Sequence, residues 1–127
     1  MSGIGVVLNP NAGANRGRRD RAAALRTALG DAGFVLEVDG LDALAAAAAE
    51  MHRRDIGVFA VCGGDGSCFR SLSALARVWG EAPLPAFLPL RGGSMNTIAR
   101  AVGYRRGTPE EVLRRAAAAV AAVTALA

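Results

Sequence analysis

Apolar positions along the chain follow two alternating rhythms. Ile4 to Leu8, Phe34 to Val38, Ile56 to Val61 and Ala86 to Leu90 are short, nearly continuous apolar runs, the pattern of strands buried on both faces. Helical spacing fills the intervals. Arg18 to Leu29 carries Ala22, Leu25 and Leu29 on one face and stops at Gly30 and Gly33, and Leu41 to Arg53 reads as an alanine-rich helix. After Ser67, the residues Phe69, Leu72, Ala76 and Trp79 mark the expected buried face of a third helix, closed by Gly80. Ser94 and Gly103 bracket a short helix, and Thr108-Pro109-Glu110-Glu111 is a capping box with proline at the first position of a last one. Four β-α units in succession predict a three-layer α/β/α fold with a parallel, Rossmann-like sheet and right-handed crossovers. The expected strand order is 2-1-3-4, which makes strands one, three and four neighbours.

Composition narrows the picture. With 127 residues, 52% of them hydrophobic, the chain is one domain whose core needs no disulfide or metal. Its 15 basic residues are all arginine, against 11 acids, and are spread along the chain. The resulting charge of +4 suits an anionic ligand and gives no nucleic-acid stripe. One Tyr, one Trp and four Phe are too few and too scattered for a base-stacking surface. Cys62 and Cys68 match no zinc spacing, and no signal peptide is legible, so reduced thiols and a cytoplasmic protein are expected. Cys62 reads as a small buried residue at a strand end and Cys68 as a helix-face residue. The apolar tract Ala116 to Ala127 falls far short of the roughly 20 residues that span a bilayer. Peripheral membrane contact and a homodimer stay open.

The chemistry concentrates in three loops, each following a strand: Asn9-Pro10-Asn11-Ala12-Gly13, Gly63-Gly64-Asp65-Gly66-Ser67 and Gly92-Gly93-Ser94-Met95-Asn96. In a parallel sheet all three open at one edge, where backbone N–H groups and helix N-termini surround phosphate. Glycines at 63, 64 and 66 let the backbone approach an oligophosphate, and Ser67 is expected to cap the following helix while offering its hydroxyl. Asp65 is the discriminating residue. A carboxylate among N–H groups meant for phosphate repels it unless Mg²⁺ intervenes or the carboxylate takes a proton from an attacking hydroxyl. Arg16 is the candidate phosphate contact at the first loop, whereas Arg18, Arg19 and Arg21 are expected to be solvated.

Several common sites are excluded by residue type and spacing. The chain has no lysine, which rules out a Walker-A loop, and Phe69 breaks the G-x-G-x-x-G run that starts at Gly64. There is no G-x-S-x-G elbow. The single histidine, His52, sits on the alanine-rich helix as a surface residue, against a Ser-His-Asp hydrolase.

The three motifs in this order, N-P-x-[SA]-G, G-G-D-G-[ST] and P-L-x-G-[TS]-x-N followed by A-R, resemble the catalytic domain of the diacylglycerol kinase family, related to sphingosine, ceramide and NAD kinases. The resemblance spans essentially the whole chain. It implies that Asn9 and the Asn11 to Gly13 turn hold the phosphate end of ATP, that Gly63, Gly64, Gly66 and Ser67 form the phosphate loop with Asp65 catalytic or on Mg²⁺, and that Gly93, Ser94 and Asn96 contact the nucleotide. Arg91 and Arg100 are lesser candidates. Family members commonly carry Asn-Glu after the second motif, where this chain has Phe69-Arg70, and Asp after the third, where it has Thr97. Both departures remove polar ligands.

In this family a C-terminal β-sandwich supplies much of the acceptor pocket, and the 127 residues hold none of it. The expectation is therefore the nucleotide-binding half of an ATP- and Mg²⁺-dependent lipid kinase, inactive alone, with the lipid acceptor bound by the full-length protein. Two rivals remain, an NAD kinase-type phosphotransferase and a nucleotide-binding module without turnover.

Overall fold

The computed structural model describes residues 3–11, 15, 17, 19–91 and 108–126. In chain order these form β1 (Ile4–Leu8), α1 (Arg21–Leu29), a 3₁₀ turn (Gly30–Ala32), β2 (Gly33–Glu37), α2 (Leu41–Arg53), β3 (Val58–Gly63), α3 (Asp65–Trp79), β4 (Ala86–Arg91) and α4 (Pro109–Leu126). The four strands make one parallel sheet in the order β2-β1-β3-β4, the order expected from the motifs. Register aligns Leu8 with Glu37 and Cys62, and Gly63 with Arg91, so the strands end at a common edge.

The chain steps one way from β1 to β2 and the other way from β2 through β3 to β4. Helices linked by crossovers of a single hand must then change face, and they do. α1 and α4 pack on one face over Ile4, Val6, Leu8 and Leu90, while α2 and α3 pack on the other over Val7, Phe59 and Val61. Both faces of β1 and β3 are thereby covered, which is why Ile4 to Leu8 is buried at every position.

Differences from the sequence reading have physical causes. α1 starts at Arg21, with Asp20 as its N-cap residue, three residues later than the spacing indicated. Arg21 is buried, and its Nη1 lies 3.0 Å from Glu110 in the first turn of α4. The cationic residue at the start of α1 is thus balanced by a carboxylate at the start of α4, so the expectation of a solvated Arg21 fails. β2 and β3 lie about one and two residues off the expected spans, Phe34 to Val38 and Ile56 to Val61.

The face of α3 is the larger correction. Its buried residues are Ser67, Cys68, Ser71, Leu75 and Trp79, whereas Phe69 and Leu72 are 64% and 37% exposed and Ala76 is exposed. Near the motif edge the core side of α3 carries small residues close on β3, so hydrophobicity pointed to the wrong stripe for Phe69, Leu72 and Ala76, while Trp79 is buried as expected. The capping box is as read: Thr108 Oγ1 accepts from the Glu111 N–H at 3.2 Å and donates to the Glu111 carboxylate at 3.2 Å. The short helix expected between Ser94 and Gly103 lies outside the described residues.

Gly33 marks the tightest approach in the sheet. A Cβ there would stand 1.8 Å from the carbonyl oxygen of Ile4, its register partner on β1. Gly33→Ala should therefore cost at least about 3 kcal/mol, at the upper end of overpacking penalties. Urea unfolding of the two proteins checks it; an unchanged midpoint would show that β2 can shift without cost.

Candidate active site

The first two motif loops meet at the C-terminal edge, between β1 and β3, where the chain's exits diverge to opposite faces of the sheet. That is the switch point at which open α/β sheets form a crevice. Asn9 is its pivot. Its backbone N–H donates to the Cys62 carbonyl at 3.0 Å, its Oδ1 accepts from the Asn11 N–H at 3.0 Å, and its Nδ2 donates to Ser67 Oγ at 2.9 Å. The first loop is therefore tied directly to the second. Asn11 Nδ2 in turn donates to the Asp39 carboxylate after β2 at 3.0 Å.

Beneath them lies Asn15, only 2% exposed. Its Nδ2 donates to the carbonyls of Asn9 at 2.8 Å and Cys62 at 3.2 Å, and its Oδ1 accepts from the Cys62 thiol at 3.5 Å. One amide spans the exits of β1 and β3. Sequence reading passed over Asn15 because a lone asparagine in a polar loop carries no spacing signal; a buried partner is visible only in three dimensions.

The second loop is short. Gly64 caps α3 with extended backbone (φ −91°, ψ −170°), no side chain caps that end, and the ladder starts with Cys68 N–H on the Gly64 carbonyl at 3.0 Å. Ser67 is thus in the first turn rather than at the cap, and its hydroxyl serves Asn9 instead of the helix end. The first N–H groups of an α-helix have no intrahelical acceptor, so those of the Gly64 to Ser67 turn concentrate positive potential at the crevice. Gly63 must be glycine for packing, since a Cβ would lie 2.6 Å from Ser67 Cβ and 2.7 Å from its Oγ. At Gly66 the nearest side-chain atom, Arg70 Nη2, stands 3.5 Å from such a Cβ, which leaves ordinary room.

A cleft of about 290 Å³ opens beside this edge, with Val7, Val38 and Leu44 as apolar lining and Asn9, Asn11, Asp39, Ser67 and Arg70 as polar lining. Asp39 and Arg70 were not anticipated as site residues. Of the anticipated ones, the structure brings Asn9, Asn11, Gly63, Gly64, Asp65, Gly66 and Ser67 to one edge. Gly13, Arg16, Gly93, Ser94 and Asn96 lie outside the described residues, as does Arg100. Arg91 ends β4 opposite Gly63. Among the described residues no three His, Cys, Asp or Glu side chains gather into a metal cage. No described helix is long and apolar enough to cross a membrane.

Both cysteines are buried and free. Burial pushes the Cys62 thiol up to about 12 and the Cys68 thiol to about 11, the Asp65 carboxylate adding to the second. Neither is a nucleophile at neutral pH.

An uncapped helix end beside interlocked loops at a switch point is the arrangement by which α/β domains receive phosphate. The chain belongs to the diacylglycerol kinase catalytic domain family, which it matches over residues 3–126. Among solved structures it is similar to a diacylglycerol kinase from Bacillus anthracis str. Sterne, at 20% identity and a TM-score of 0.68, covering 91% of this chain and 42% of that one. A second structure, of a candidate diacylglycerol kinase from the same bacterium, gives 20% identity and a TM-score of 0.69, with 91% and 41% covered. The chain spans about two-fifths of the length of these structures. No curated protein matches it.

Asn15→Ala removes the donor to the Asn9 carbonyl and the acceptor of the Cys62 thiol, and should cost about 1–3 kcal/mol by denaturant unfolding. Asn15→Asp keeps the shape but, once ionised, cannot donate to a carbonyl, so at pH 8 it should be no less destabilising than alanine. A neutral Asn15→Asp would refute the clamp.

A thiol whose pKa is raised on folding contributes stability that is fully present below its unfolded value near 9 and lost as pH climbs through the folded value. Stability should therefore fall between pH 9 and about 12, with a slope approaching 1.4 kcal/mol per pH unit for each thiol. With no lysine and one tyrosine, the chain has few other groups titrating there. The double variant Cys62→Ala, Cys68→Ala should flatten that slope; urea midpoints from pH 8 to 11 supply the comparison.

Proposed function

We propose that this chain is the nucleotide-binding half of a lipid kinase that transfers the γ-phosphoryl group of ATP to a lipid hydroxyl. The supporting observation is the Asn9–Ser67 hydrogen bond, which fixes two motif loops against the uncapped start of α3 in a member of the diacylglycerol kinase catalytic domain family. The donor set suits a phosphate chain: helical N–H groups, asparagine amides held in place, and the Arg70 guanidinium close over Gly66. Gly13, Arg16, Gly93, Ser94 and Asn96 complete the nucleotide site in this reading.

Mg²⁺ is commonly bound through one or two carboxylates together with substrate phosphates, and Asp65 is the one acidic residue in the first turn of α3. A metal there would neutralise charge on the transferring group. Asp65 would otherwise accept the proton of the attacking hydroxyl, a task for which its place as the first residue of α3, at the motif edge, is suited. The acceptor pocket belongs, in this reading, to the family's β-sandwich domain, in agreement with the share of the related structures that this chain spans.

Calorimetric titration with ATP, with and without Mg²⁺, tests the assignment. Gly66→Asp should fold, because a Cβ there meets nothing closer than 3.5 Å, yet lose ATP binding by at least about tenfold, because its carboxylate occupies the phosphate approach. Asp65→Asn should bind ATP without metal at least as well as the parent and lose the Mg²⁺ dependence. The chain alone should show no phosphorylation of diacylglycerol, sphingosine or NAD. Parent-like ATP binding by Gly66→Asp would remove the phosphate reading of this loop.

A further inference from the structure

Arg70 brings a second positive group to an edge that the start of α3 already makes positive. Side chains on a helix lean toward its N-terminus, so Arg70, four residues after Gly66, lies back over the first turn. Its Nη2, Nη1 and Cζ stand 3.5, 3.6 and 3.7 Å from the point that a Gly66 Cβ would occupy. The guanidinium is therefore close over bare helix backbone, in the cleft that Asn9, Asn11 and Ser67 also line. A cation folded back onto a helix start is disfavoured by the macrodipole unless an anion joins it. No described side chain has that role. Asp39 lines the same cleft but accepts from Asn11, Asp65 begins the helix, and Arg70 makes no hydrogen bond or ion pair with any described residue.

We infer that Arg70 is a phosphate-binding residue that supplies part of the charge a metal would otherwise supply, so that the site takes an oligophosphate without Mg²⁺. The planar guanidinium presents its N–H donors as a fork that fits two phosphate oxygens, and the N–H groups of the Gly64 to Ser67 turn lie on the other side of the same approach. Metal and guanidinium neutralise the same charge, so each matters most when the other is missing. Asp65 acts in the opposite sense, since its carboxylate repels bare phosphate and attracts Mg²⁺. The two side chains thus set the metal dependence of binding from opposite directions. The inference rests on the nucleotide-binding reading.

Calorimetric titration of the whole chain with ATP and with inorganic tripolyphosphate, each with and without Mg²⁺, tests it. Arg70→Gln should weaken metal-free binding of both at least about tenfold, the effect of losing a charge-assisted contact, and Mg²⁺-ATP binding by less, so that the metal dependence widens. Asp65→Asn moves it the other way. Arg70→Lys keeps the charge without the fork and should recover part of the loss. Arg77→Gln removes the same charge two turns along α3 and should leave every affinity within about twofold of the parent. Arg70 is exposed, so Arg70→Gln should keep the parent's urea midpoint. Equal losses with and without metal, or a matching loss in Arg77→Gln, would assign the effect to net charge and overturn the proposal, as would parent-like binding by Arg70→Gln. If that parent-like binding accompanies the expected loss in Gly66→Asp, the role of Arg70 alone fails; if the parent binds no ATP, the nucleotide reading fails with it.

Discussion

The site depends on one buried amide. Strands β1 and β3 hydrogen-bond along their length, and beyond the Asn9 N–H on the Cys62 carbonyl their chains leave toward opposite faces. Asn15 continues the ladder by other means, donating to a carbonyl from each exit and accepting from the Cys62 thiol. A buried carbonyl without a donor is costly, so the first loop is held where Asn9 can reach Ser67. The positions of Asn11 and, through it, Asp39 follow from that anchor.

Small residues on the core side of α3 have the complementary role. Ser67, Cys68 and Ser71 face inward near its start, and larger Leu75 and Trp79 follow toward its end. The helix therefore lies closest to the sheet at the motif edge, where Gly63 accepts Ser67 without room for a Cβ. Farther along, Trp79 is buried and meets His52 of α2 edge-on, with ring centroids 4.7 Å apart. Side-chain size thus grows along the buried stripe, away from the close approach at Gly63.

That gradient also explains which parts of the fold could be read from sequence. Strands buried on both faces announce themselves as apolar runs, and loops that bend sharply after them announce themselves as glycine and asparagine, so the sheet order and motif edge were legible. The face of α3 was not, because Ser71 packs inward and Phe69 outward. Hydrophobicity predicts burial only where side-chain volume is not the stronger constraint. Asn15 and the Arg21–Glu110 pair were hidden for a different reason: each acquires its role from a partner 47 or 89 positions away. No local pattern encodes such a partner.

The Arg21–Glu110 bridge fastens α1 to α4 across 89 positions of sequence, Arg21 Nη1 lying 3.0 Å from each carboxylate oxygen. An ion pair this distant in sequence is reached only once the packing of α1 against α4 has brought its two ends together. Interactions absent from the transition state govern how fast a native structure comes apart rather than how fast it assembles. On that rule an interaction of this kind acts as a latch, and this one sits on the face of the sheet opposite the cleft.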